Sequence, residues 1–348
     1  MATTFKTLMN NDIASTRTLL HEAIPVTGTI VSGTYADNNI KNYAHGMFQS
    51  VYDYPYLSSS ANHIFDITAG YASDSSLSSS TNPQNAKKIN VYNQLAQVLV
   101  GHDVTGNIQR FDQDGDITAG GTKMKECFFL NFARLLAKDE IKKGSFTTAL
   151  YIDGISEAPS SSVTISDYGA ATSFKVNSPT GEYGILYTSS ATPNSDSGVG
   201  HIYYQAGIAV LTASVFSRAT GSGGAFGAPT TSSASPEGVL TGSNIQTFAD
   251  GVRNRLANTE FNNTTELNST IYFTRANTGD YNYSANPTYL SASKIRVKGD
   301  NPFAEPVSYI TTVGLYSADN ELLAVAKLSE PLKKTPSNEL TLRVRLDY

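Results

Sequence analysis

Ile310-Thr-Thr-Val-Gly-Leu-Tyr316, the turn Ser317-Ala-Asp-Asn320 and the return Glu321-Leu-Leu-Ala-Val-Ala326 read together as a β-hairpin. β-Branched and aromatic residues fill the arms, while Ser, Asp and Asn, whose side chains bond their own backbone, fill the turn. After Pro331 and Pro336 the chain closes with Leu340-Thr-Leu-Arg-Val-Arg-Leu346. This alternation of apolar and polar residues sends one set of side chains to a core and the other to water. The same texture reaches back through residues 145–152, 184–188, 201–216, 269–274, 294–297, 308–316 and 322–328, separated by Gly, Asn, Ser and Pro clusters. Strands punctuated in this way predict an antiparallel β-sandwich or jelly-roll-like domain over residues 145–348. Within it, residues 217–265 read as an insertion. A Gly/Ser/Thr-rich loop (218–235) precedes a short helix with Ser243 and Gln246 in a capping-box pattern and Ile245, Phe248, Val252 and Leu256 on one face.

Residues 1–144 form a mixed N-terminal region. Its best element is an amphipathic helix over about residues 83–100: Asn82 caps it, Pro83 opens it, Gly101 ends it, and Ile89, Tyr92, Leu95, Ala96 and Leu99 recur at helical spacing. Ile13, Leu20 and Ile24 predict a short helix before Pro25, and residues 26–35 read as a strand interrupted by glycines. Residues 73–81 are a Ser-rich loop. Between Phe128 and Leu136 apolar residues are too dense for a period to separate strand from helix. The fold class expected is therefore mainly β with a few helices (α+β).

Composition narrows the function. Of 348 residues 16% are charged, against an average of about 25%, and the balance is made up by polar residues, 27 Gly and 20 Tyr, with no Trp. Tyrosine offers broad contact area with a hydrogen-bonding tip, which suits surfaces that meet other proteins. The net charge is -5, and the longest basic patches are pairs such as Lys87-Lys88, so nothing resembles the stripe that neutralises phosphates; no nucleic-acid partner is expected. The first residues lack an apolar stretch of signal-peptide length, and no segment approaches the ~20 apolar residues of a membrane helix. The expectation is a soluble chain folded in a cytoplasm, with no membrane partner.

The residues that carry chemistry are sparse. His21, His45, His63, His102 and His201 stand at no metal-ligand spacing, and no nucleophile elbow occurs. Cys127, beside Phe128-Phe129-Leu130, reads as a buried thiol. Asp112-Gln-Asp-Gly-Asp116 begins like a calcium loop, but its sixth position is Ile117 and its twelfth Lys123, so it reads as a polar turn. Gly221-Ser-Gly-Gly-Ala-Phe-Gly227 lacks the Lys-Ser/Thr and helix of a phosphate loop. No catalytic, metal or cofactor-binding residue is assigned, and no enzymatic activity is expected. The aromatic run Tyr52-Asp-Tyr54-Pro-Tyr56 stands out. On an extended strand Tyr52, Tyr54 and Tyr56 would share one side; packing on the chain's own core is their commoner fate, and a partner interface is the functional alternative.

Several stretches resemble virion structural proteins of T-even-like contractile-tailed marine phages. They are Arg17-Thr-Leu-Leu-His-Glu-Ala-Ile-Pro25, Tyr43-Ala-His-Gly-Met-Phe-Gln-Ser-Val-Tyr-Asp-Tyr-Pro-Tyr-Leu57 and Ala61-Asn-His-Ile-Phe-Asp-Ile-Thr68. The C-terminal hairpin and closing strand are similar to a β-module of phage tail-fibre and baseplate proteins. The resemblance implies a structural subunit of the baseplate or tail, located in the virion after assembly in the host cytoplasm. Its partners would be other tail or baseplate proteins and copies of itself, in three-fold or six-fold arrangement. A receptor- or glycan-binding fibre module is the alternative. A glycan-cleaving enzyme, which needs two carboxylates across a bond, ranks third.

Overall fold

The computed structural model describes residues 6–25, 37–79, 83–116, 121–151, 162–188, 198–218, 244–292, 294–297, 301 and 303–348. Two compact units divide the chain: Leu20–Thr265 forms one, and Glu266–Tyr348 with the chain before Leu20 forms the other.

The axis of the first unit is the strand Glu126–Phe132, the stretch whose period the sequence left open. Phe128, Leu130 and Phe132 point into one core, Cys127 and Phe129 into another. The strand is apolar on both faces because both are covered. Helix Pro83–Leu99 lies on the Cys127/Phe129 face through Val91, Tyr92, Ala96 and Leu99. Helix Ile245–Arg255 packs Phe248, Ala249 and Val252 into the other, with Phe248 and Phe128 rings 6.3 Å apart. Each large side chain removed from water contributes about 1.5–3 kcal/mol. Gly70, on strand His63–Tyr71, lets the first helix approach the sheet backbone: a Cβ there would lie 2.8 Å from the Tyr92 amide nitrogen and collide with the Lys88 carbonyl.

Around this axis the strands run in one antiparallel hydrogen-bonded path: Ile40–Asn42, Gln49–Tyr52, His63–Tyr71, Glu126–Phe132, Ile208–Thr212, Gly198–Tyr203, Gly181–Tyr187, Ser162–Ser166, Thr147–Tyr151 and the start of Leu256–Ala276. The sheet curls. Phe132 meets the ring of Phe146 at 5.9 Å and that of Phe261 at 5.1 Å, although Leu256–Ala276 stands six places along the path from Glu126–Phe132. A curled antiparallel sheet with few helices is the mainly-β architecture the strand pattern predicted.

In the second unit Ser308–Tyr316 pairs with Leu322–Lys334, and Leu340–Asp347 pairs with residues 269–276 of the long strand. The predicted turn is present: Ser317 donates its amide to the Glu321 carbonyl (2.9 Å), and Asn320 takes the left-handed φ of +64° that Asn tolerates. Few apolar side chains are buried here, among them Ile271, Val313 and Val344.

Several expectations change. Ile13–Pro25 is a strand rather than a helix. Three apolar residues at helical spacing are a weak signal, and this segment lies beside Leu256–Ala276, which completes its backbone bonds. Residues 201–216 are not one strand but the end of Gly198–Tyr203, a turn closed by Gly207 (φ +68°), and Ile208–Thr212. The boundary expected at 144/145 does not separate the units, because Glu126–Phe132 and Ile208–Thr212 are hydrogen-bonded across it. Nor does an insertion run to 265: Leu256–Ala276 enters the sheet against Thr147–Tyr151. The helix expected there begins at Ile245, capped by Asn244, whose Oδ1 accepts from the Thr247 amide (2.8 Å); Gln246 instead donates to the Tyr43 carbonyl. Asn82, Ser243, the strand read at 26–35 and the Gly221–Gly227 loop lie outside the described residues.

Candidate functional site

The predicted tyrosines fall at the end of a strand and not along it. Tyr52 closes Gln49–Tyr52, after which Asp53 bends the chain by exchanging bonds with Asn62, and Tyr54 and Tyr56 sit on the turn that follows. Tyr54 is 57% exposed, and Tyr52 and Tyr56 are half-buried, their rings 6.3 Å apart. All three reach the surface, and the bend at residues 53–54, held by the Asp53–Asn62 bonds, takes them out of the extended register.

Tyr52 belongs to a larger polar and aromatic face. Lys41, Ser50, Asp66 and Asn131 are register partners on four neighbouring strands and form one cross-strand row. Asp66 accepts from Ser50 Oγ at 2.5 Å and lies 2.8 Å from His63 Nε2. The Lys41 ammonium sits 4.8 Å above the Tyr43 ring, Tyr43 stacks on His45 at 5.2 Å, and Tyr52 stands 5.5 Å from His63. Burial, then the adjacent Tyr43, holds the Tyr52 hydroxyl above its ordinary value. Burial raises the Asp53 carboxyl, but the Asn62 hydrogen bonds outweigh it and hold the group below the usual range. Sequence spacing could have exposed this row only if the strand register were known.

Ser50, His63 and Asp66 are the three residue types of a hydrolytic triad in the wrong order. The carboxylate is the centre: it accepts from the serine hydroxyl and bonds the imidazole separately, so His63 is bonded to Asp66 and not to Ser50 as a triad would require. The remaining histidines are dispersed. His21 lies 2.9 Å from Thr264 Oγ1, His102 is exposed, and His201 is buried among Phe111, Tyr183 and Tyr203. Its Nε2 donates to the Asp112 carbonyl at 2.5 Å, and burial pushes the imidazole down to about 4, so it stays neutral. Cys127 is buried, and burial holds its thiol well above the ordinary value.

The Asp112 turn carries its own cation. Lys123, at the position where a calcium loop places a bidentate glutamate, pairs its ammonium with the buried Asp112 carboxylate, and Asp114 accepts from the Asp116 amide at 2.9 Å. Among the described residues no group of three or more His, Cys, Asp or Glu could hold a metal, and no helix is long and apolar enough to cross a membrane.

A second surface, which the sequence did not single out as a site, lies on the C-terminal hairpin. Tyr309 (63% exposed), Leu323 (68%), Leu322, Val325 and Tyr316 all face solvent. Ser308–Tyr316 borders a groove of about 880 Å³ whose other walls include Leu8, Tyr272, Leu342 and Leu346. The hairpin is anchored by a polar knot: the buried Lys334 ammonium donates to the Thr278 carbonyl (3.1 Å), Asn282 Oδ1 (2.8 Å) and the Thr335 carbonyl (2.8 Å). The three ammonium protons are matched by these three acceptors.

In comparisons with known proteins, no family model, curated protein or solved structure matches the chain.

Proposed function

We propose that this chain is a structural subunit of a bacteriophage virion, a baseplate or tail-associated protein that works through protein–protein interfaces. The observation that carries this reading is the C-terminal hairpin, whose tyrosines, leucines and valines stand in solvent on a two-stranded ribbon. An isolated two-stranded ribbon is marginal in water, and clustered exposed apolar side chains mark contact surfaces. The phage-like stretches at both ends of the sequence supply the class of assembly. Co-expression with the products of neighbouring genes, followed by purification of the resulting particles, tests it. Incorporation at a defined stoichiometry supports the reading; a chain that stays outside every particle and binds no other virion protein overturns it.

A receptor- or glycan-binding role is the second reading, favoured by the row Lys41, Ser50, Asp66 and Asn131 flanked by Tyr43 and Tyr52. Hydrogen-bonding groups beside aromatic rings suit a saccharide's alternating polar and apolar faces. Glycan-array binding that disappears in Tyr52→Ala would favour it, and an array without signal would remove it.

A further inference from the structure

The strands at the margins of the C-terminal unit differ in how their edges are guarded. Leu322–Lys334 carries Lys327, Glu330, Lys333 and Pro331, and its pairing is interrupted between Ile310 and Thr312, where the four residues 328–331 of one arm stand opposite Thr311 alone. Leu340–Asp347 carries Arg343, Arg345 and Asp347, and Ile13–Pro25 carries Arg17 in this unit. Charges, proline and bulges are the devices that stop an edge from pairing with another chain. Ser308–Tyr316 has none of them: Ser-Tyr-Ile-Thr-Thr-Val-Gly-Leu-Tyr contains no charge and no proline. Among the described residues it pairs with Leu322–Lys334 alone, so its other edge is open, and the groove follows it from end to end.

We propose that this open edge pairs with the same edge of a second copy, joining two chains by an antiparallel Ser308–Tyr316 contact. The proposal deepens the interface reading above and rests on it. Two-fold pairing sets each residue against its own copy or against the residue equally far from the axis. With the axis at Thr312, the midpoint of the strand, Tyr309 meets Leu315, Ile310 meets Gly314 and Thr311 meets Val313. No like charges meet, and Tyr309 with Leu315 is an aromatic–aliphatic pair of the kind that stabilises sheets. Pairing through Leu340–Asp347 would instead bring Arg343 and Arg345 towards their own copies. The incoming strand offers its backbone groups to this edge, and its side chains gain the apolar wall of the groove.

Sedimentation velocity on the full chain tests this, and a concentration-dependent dimer is expected. Thr312 is exposed, and Thr312→Lys places two ammonium groups across the axis, so dimerisation should weaken about tenfold or more. Ser329→Lys, an exposed position on the interrupted arm, should leave it unchanged. Independently, Thr312→Cys should cross-link to a covalent dimer under mild oxidation and Ser329→Cys should not, with Cys127 silent because it is buried. A wild-type chain that is monomeric throughout, a dimer indifferent to Thr312→Lys with native circular dichroism, or equal cross-linking at both positions would overturn the proposal. A monomer that still enters particles sinks the self-pairing alone; exclusion from particles sinks the interface reading.

Discussion

Around Phe132, the rings of Phe65, Phe146 and Phe261 converge at 5.1–6.1 Å; around Lys334, three oxygens converge on an ammonium. These are the centres of the two units, and the contrast shows how one chain divides its apolar residues. The larger unit spends them inward and holds two cores, one on each face of Glu126–Phe132. The C-terminal unit holds its hairpin by polar bonds and leaves Tyr309, Leu322, Leu323 and Val325 in water. A surface of that kind is free to be covered by something else.

The largest expected effect lies in the aromatic centre. Phe132→Ala removes a ring that bridges the curled sheet and should cost about 3–5 kcal/mol, read as a shift of the urea midpoint by circular dichroism. A loss below about 1 kcal/mol, the range of ordinary surface changes, would mean that the sheet does not close over this ring.

Next come two buried ionisable groups of the same unit with opposite pH behaviour. Burial pushes the Asp167 carboxyl up to about 6, although Tyr204, Gly144 and Phe146 donate to it. Its contribution is present below the ordinary carboxylate value and is lost as pH rises through 6. Burial pushes His201 down to about 4, so its contribution is present above the ordinary imidazole value and is lost as pH falls through 4. Each is worth roughly 3 kcal/mol, and between pH 4 and 6 they oppose each other. Asp167→Asn should make stability climb with pH in that window, and His201→Gln should make it fall. Denaturation at a series of pH values decides, and parallel slopes in the two variants would refute the assignment.

Lys334→Met should cost about 2 kcal/mol by leaving its acceptors without a donor. The loss should be local: amide exchange should quicken in residues 278–282 and 306–334 and stay unchanged in Glu126–Phe132. Uniform quickening would erase the distinction between the units. The smallest effect is expected at Leu323→Ser, within about 0.5 kcal/mol, since the side chain is already in water; a larger loss of monomer stability would show that the hairpin face is buried after all.

How much of this was legible depended on whether the signal was local. Asn320, Gly101 and the alternation in Leu340–Asp347 announce the turn, the helix end and the closing strand, because each needs only its own neighbours. Glu126–Phe132 gave no period, since a strand covered on both faces has none to give. Ile13–Pro25 passed for a helix because its pairing partner stands more than 200 residues away in sequence. The tyrosines were visible as a run, but Lys41, Ser50, Asp66 and Asn131 become a row only through the register of four strands.

The sequence by itself determined the β-rich composition, the C-terminal hairpin and its turn, and the amphipathic helix, all set by backbone preferences and short-range periodicity. Only the tertiary structure decided which faces are covered, where the units divide and which edge is left unguarded. Those depend on pairings between distant segments, and no window along the chain contains both partners.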